Sequence, residues 1–160
     1  MKTKINIGCG DKKLDGYVNI DLSNADLIHD VRQPLPYKDN SIQEIYAKHI
    51  IEHFSRAEWE LIKKDWYRVL EPNGLLTIEC PDFIRCMKRY IENSENRRDY
   101  WMLTIYGEQQ NEGQYHKNGF YLEKLKKELM DEGFLIKEFY WLFDKTPDIN
   151  GFNLKLMAVK

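Results

Sequence analysis

The chain has 160 residues and a mass of 19.2 kDa, which suits one domain over 1–160 and leaves no room for two catalytic ones. With 24 Lys and Arg against 26 Asp and Glu the formal net charge is −2, so nucleic acid is disfavoured as a partner, although a nucleic-acid substrate stays open. Hydrophobic residues at 42% and aromatics at 13% exclude a disordered chain. There is no run of about 18 apolar residues, and Met1 to Gly10 holds no apolar stretch of signal-peptide length, so the expectation is a cytoplasmic protein with no membrane partner. Cys9, Cys80 and Cys86 are odd in number and lack CxxC spacing, which argues for reduced thiols rather than a disulfide framework or a thiolate zinc site.

In chain order, Lys4 to Ile7 reads as a buried strand stopped by Gly8 and Gly10, and Tyr17 to Ile20 as a second, ending at Asp21. Leu27-Ile28 and Ile42 to Ala47 follow as a third and a fourth. Ser55 with Glu58 forms a capping box, and Trp59, Ile62, Trp66 and Val69 recur at helical spacing, so a core-facing helix runs to about Leu70. Pro72-Asn73-Gly74 breaks it, and Leu75 to Cys80 reads as a fifth strand closed by Pro81. Asp82 can cap a helix on which Phe83, Met87 and Tyr90 share a face. A further helix spans about Tyr121 to Asp131 and stops at Gly133. Phe134 to Phe143 and Phe152 to Val159, joined by Asp144 to Gly151, suggest a terminal antiparallel hairpin. The sum is an α/β fold: a Rossmann-like open sheet, mostly parallel with an antiparallel C-terminal hairpin, helices on both faces, and a ligand at the carboxyl ends of the strands.

Gly8-Cys9-Gly10 directly follows the first strand, where glycines let backbone N–H groups approach a ligand; alone, this equally fits an ordinary tight turn. The dinucleotide pattern GxGxxG fails, because Lys13 stands where its third glycine belongs. Asp21 ends the second strand 13 residues after Gly8, and its carboxylate can accept hydrogen bonds from both ribose hydroxyls or simply cap a turn. Lys12 to Gly16 leaves space for about one helical turn, so no full helix fits there. Asp30-Val31 could read an adenine edge with a side chain and a backbone N–H.

In this order, Ile5 to Gly10 (INIGCG), Val18 to Leu22 (VNIDL), Asp30-Val31 with Leu35-Pro36, His49 to Phe54 (HIIEHF) and Arg68 to Gly74 (RVLEPNG) resemble class I S-adenosylmethionine-dependent methyltransferases, particularly small stand-alone ones. The likeness covers the first half, and more loosely the last helix and hairpin. It implies S-adenosylmethionine as cofactor, with Asn6, Gly8, Cys9 and Gly10 bordering its methionine part, Asp21 and Leu22 its ribose, Asp30 and Val31 its adenine, and His49 the rim near the methyl group. Asn6 stands where the family often has an acidic residue, and Lys12 where it often has a third glycine. The implied activity is methyl transfer to an oxygen or nitrogen of a small-molecule acceptor, a sugar or secondary metabolite being the class suggested. His49 and His116 are the candidate general bases, by position and by their titration near neutrality.

Two other readings compete. His49-Ile-Ile-Glu52-His53 spells HxxEH, a zinc-hydrolase motif when it lies on a helix, with His116 or a distant Glu as third ligand. His49 follows the fourth strand too closely and Ser55 caps the next helix, so the motif is expected to straddle a strand end and a loop, and no metal ligand is assigned. A non-catalytic cofactor-binding module is the remaining alternative. His116 itself lies in a turn-rich loop, Gln114 to Gly119, where either a substrate-reading or a merely exposed histidine fits.

Overall fold

The computed structural model describes residues 3–92, 97–143, 146–147 and 151–160. Among these, eight strands form one sheet: β1 (Thr3–Ile7), β2 (Val18–Asp21), β3 (Leu27–Ile28), β4 (Ile42–Lys48), β5 (Leu70–Pro81), β6 (Leu135–Phe143), β7 (Thr146–Pro147) and β8 (Asn153–Val159). Their order is β3-β2-β1-β4-β5-β8-β6-β7. The pairings from β3 to β5 are parallel, and those of β8, β6 and β7 antiparallel, as the sequence suggested.

Alternation along the strands sorts the sheet into two unlike faces. Ile5, Ile45 and Leu76 are aligned across β1, β4 and β5, as are Ile7, Ala47 and Ile78, and all six are fully buried. Over this face lie α1 (Arg56–Val69) and α4 (Leu122–Glu132), which place Trp59, Ile62, Trp66, Leu125 and Leu129 in the same core. Each such side chain contributes roughly 1.5–3 kcal/mol by leaving water. The opposite face carries charge in register: Lys4 meets Glu44 at 2.9 Å, and Glu79 meets Lys48 at 2.8 Å and Lys155 at 3.0 Å. Tyr17 and Tyr46 hydroxyls donate to Glu44 and Glu79.

Helix α1 starts at the expected box, with Ser55 Oγ accepting from Glu58 N–H and Glu58 Oε2 accepting from Ser55 N–H. Gly133 ends α4 in the left-handed region at φ 109°. The structure differs from expectation at four places. Strand β5 begins at Leu70, because Leu70 already pairs with Ile42 and the Pro72-Asn73-Gly74 cluster is absorbed as an irregularity held by Lys160, whose N–H donates to Gly74 O. In α2 (Phe83–Glu92) the buried residue is Cys86, while Phe83 is exposed. A helix α3 (Arg98–Tyr106), which no periodicity announced, packs on α2. Strand β8 lies inside the sheet, between β5 and β6, so the terminal hairpin adds a central strand rather than an edge. Of the loop expected to join that hairpin, residues 144–145 and 148–150 lie outside those described.

Candidate active site

At the carboxyl end of β1 the chain turns through Gly8 (φ 68°) and Gly10 (φ 50°), a region that disfavours side chains. The N–H groups of Gly8 and Cys9 both donate to Ile20 O, which fastens the turn to β2. Asp21 closes the far side: its Oδ2 accepts from Gly10 N–H at 2.8 Å and its Oδ1 from Leu22 N–H at 2.7 Å. Each oxygen keeps further lone-pair capacity for a hydroxyl. A Cβ on Gly10 would meet nothing within 4 Å, so open space lies beside the turn. Cys9 is buried; burial first, and then the Asp21 charge, hold its thiol above the usual range. Leu22 is exposed next to Asp21.

Between Gly10 and Asp21 no helix forms. Instead Asn19, buried on β2, ties the segment down: its Oδ1 accepts from Leu14 N–H at 2.8 Å and from Asn6 Nδ2 at 2.9 Å, and its Nδ2 donates to Leu14 O, Tyr17 O and Asp26 Oδ2. Asn6 also donates to Lys12 O. Its amide therefore works beneath the turn, on the charged face of the sheet, and not at the open space beside Gly10. Nothing in the sequence singled out Asn19; a buried amide opposite a second one becomes visible only with the register of β1 and β2.

Asp30 and Val31 follow β3. The Asp30 carboxylate is engaged by its neighbour Arg32 through Nε at 2.9 Å, Nη2 at 2.7 Å and the backbone N–H at 3.0 Å, and these hydrogen bonds hold its pKa below the usual carboxylate range. Val31 packs against the core and its carbonyl-end neighbours line a shallow cavity of about 320 Å³ with Leu61 and Asp65.

The HxxEH segment straddles the end of β4 and a 3-10 turn, Ile51–His53, as expected. His49 is held at φ 50°, with its N–H donating to Glu79 O, a strained backbone of the kind concentrated at functional sites. Its Nδ1 faces Glu52 Oε1 at 3.3 Å. Glu52 is 3% exposed, and its second oxygen, Oε2, is buried without any hydrogen-bond partner among the described residues. Burial works against the Glu52 charge, yet the bond from His49 and the nearby imidazoles hold its pKa below the usual value. His53 Nδ1 lies 3.1 Å from Tyr115 O, and since a carbonyl cannot donate, Nδ1–H is the donor of that bond. His116 stands edge-on to His53 with ring centroids 4.8 Å apart, and burial holds its pKa below the usual value. The loop that brings it there is stitched on by Lys117 and Asn118, whose N–H groups donate to Glu52 O.

His49, Glu52, His53 and His116 thus line one cavity of about 630 Å³, together with Tyr100, Leu103 and Phe152. Both histidines proposed from sequence reach it. The segment between Tyr90 and Asn118 was the one expected to face an acceptor, but no motif marked the individual residues that α3 supplies.

The mostly parallel sheet with antiparallel C-terminal strands is a Rossmann-like architecture, with the glycine turn and Asp21 at the carboxyl ends of β1 and β2. A family model described as a methyltransferase domain matches residues 6–78. The structure is similar to an S-adenosylmethionine-dependent methyltransferase from Methanosarcina mazei, at 16% identity and TM-score 0.70, over 100% of this chain and 93% of that one. Another from Archaeoglobus fulgidus shares 15% identity at TM-score 0.65, over 99% and 86%. A third, from Mesorhizobium loti, shares 12% at TM-score 0.62, over 99% and 90%. A search of curated proteins finds no match. The family model thus spans a little under half of the chain, and the likeness to the solved structures is one of fold. Among the described residues no helix is long and apolar enough to cross a membrane.

Proposed function

We propose that the chain, as one methyltransferase domain over 1–160, methylates an oxygen or nitrogen nucleophile of a small molecule, with sugars and secondary metabolites as the acceptor class. The observation that carries this reading is the cavity of about 630 Å³ beside His49, which has the size and mixed lining of a small-molecule site. A cytoplasmic setting suits the three free, buried cysteines.

S-adenosylmethionine, when bound, supplies a methyl group on a cationic sulfur that is already a good leaving group. The chain's own task is then to position the reactants and keep water out. In this reading Gly8, Cys9 and Gly10 receive the methionine part, Asp21 accepts both ribose hydroxyls with Leu22 beside it, and Asp30 and Val31 border the adenine, Asp30 while paired to Arg32. Asn6 acts on the same site through the turn it supports. His49 is the favoured base: donation from its Nδ1 to Glu52 leaves Nε2 as the acceptor of a proton, the arrangement of an oriented imidazole. His116, which lines the same cavity, is the second candidate.

Incubating the purified chain with S-adenosylmethionine and a panel of hydroxyl- and amine-bearing small molecules tests the reading by mass spectrometry. Acceptor-dependent S-adenosylhomocysteine is expected, and His49→Gln should lower the rate by about 100-fold. Turnover only on nucleic acid or protein, or none with any acceptor, defeats it.

A further inference from the structure

Sequence spacing assigned no metal ligand, and the helical pair of histidines that a zinc hydrolase needs is indeed replaced by something else: His49 turns to Glu52 instead of sharing a face with His53. Yet the fold gathers a different set. One donor atom each from Glu52, His53 and His116 lie within 4.8 Å of one another, although His116 is remote in sequence. We propose that these three residues bind a divalent first-row transition cation, which holds and polarises the oxygen of the acceptor. The acceptor role rests on the methyl-transfer reading above; the cation site does not.

Three independent features point to a cation. The donors are two imidazoles and a carboxylate, a set that suits zinc, iron or manganese and leaves coordination positions open for a substrate. Glu52 Oε2 is a buried anionic oxygen with no partner among the described residues, an arrangement that costs free energy unless a positive group completes it. His53 already makes the outer bond typical of a metal-ligating histidine, from Nδ1–H to the Tyr115 carbonyl, which leaves Nε2 as the nitrogen that ligates. Bonds of about 2.1 Å require donors no more than about 4.2 Å apart, so the cluster closes by small side-chain rotations on binding. That closing draws the His116 loop, already bonded to Glu52 O through Lys117 and Asn118, against the 3-10 turn.

A cation here changes the acceptor chemistry. It favours a hydroxyl over an amine, because the hydroxyl proton becomes easier to lose. On transfer the proton passes to His49 Nε2, the new oxygen–carbon bond forms as the sulfur–carbon bond breaks, and sulfur keeps that electron pair as a neutral thioether.

The untagged full chain, stripped with EDTA, is titrated with Co2+ and read by visible absorption and calorimetry. One ion per chain is expected. His53→Asn and His116→Asn, shown to be folded by circular dichroism, should each weaken binding by at least about tenfold, and His29→Asn should leave it unchanged. Glu52→Gln, which keeps the shape of the buried side chain, gives a second route to the same loss. No stoichiometric cobalt on the wild-type chain, or undiminished affinity in both histidine variants, overturns the site. S-adenosylmethionine affinity, measured on the same samples, should survive in those variants. A chain that binds cobalt but no S-adenosylmethionine upholds the site and defeats the methyl-transfer reading, whereas equal turnover with and without the cation overturns the acceptor role.

Discussion

Ile50 presses against Gly8 so closely that a Cβ on the glycine would sit 2.8 Å from Ile50 Cγ1. The contact joins the turn after β1 to the segment that leads into the His49–Glu52 pair, so in the proposed complex the cofactor end and the acceptor end share one packed joint. Gly8→Ala therefore meets two penalties, the collision and a backbone at φ 68°. The backbone alone costs about 1–3 kcal/mol. A lower midpoint in urea together with weakened S-adenosylmethionine binding is expected, and a variant with wild-type values of both would show that the joint yields freely.

Asp21→Ala removes a carboxylate that accepts from Gly10 and Leu22 and, in the proposed complex, from the ribose. Cofactor binding should weaken by at least about 1.5 kcal/mol, near tenfold, as measured by calorimetry. Unaltered affinity would move the ribose away from β2.

Glu79 gives the charged face of the sheet a pH signature. Burial opposes its charge, but Lys48 and Lys155 more than offset this, so its carboxyl titrates below its ordinary value of 4.5. The stabilisation is complete above the value Glu79 has in the unfolded chain and disappears as pH falls through the lower folded value. Glu79→Gln should cost about 2 kcal/mol near pH 7, and the gap between variant and wild type should shrink in denaturant titrations taken below pH 4.5. A gap independent of pH would assign the effect to packing.

Ser55→Ala breaks the capping box at the start of α1, which buries Trp59 and Trp66. The expected loss is about 1 kcal/mol, or roughly 2–4 °C in Tm for a domain of this size. Thermal denaturation with no shift would mean that the packing of α1 fixes its first turn unaided.

Much of this architecture could be read from the residues in order. The second strand, read as Tyr17 to Ile20 and found one residue on, the Ser55 box and the Gly133 stop each act through local backbone preference. Helix α3 escaped because Arg98–Tyr106 carries apolar residues all round, buries only Trp101 and has no side-chain cap, so no stripe marks a face. Pro72-Asn73-Gly74 misled because its turn, with Asn73 at φ 65°, is embedded in a strand whose flanks are held by long-range partners, Leu70 by Ile42 and the turn itself by Lys160. At the site, His49 and His116 were named from motif and loop position. Their meeting with Glu52 depends on hydrogen bonds from Lys117 and Asn118 to Glu52, across a separation no local rule reports.

The Asn19 amide has a last consequence, for how this chain can be redesigned. Chain ends held by one side chain can be re-spliced: a helix-length insert between Lys12 and Gly16 adds little closure entropy, since doubling a loop costs only about 0.6 kcal/mol. What such a graft forfeits is the pair of bonds between Asn19 and Leu14. A donor helix would thus have to bring its own anchor to β2, and that single requirement sets the terms on which the compact turn and a longer one are interchangeable.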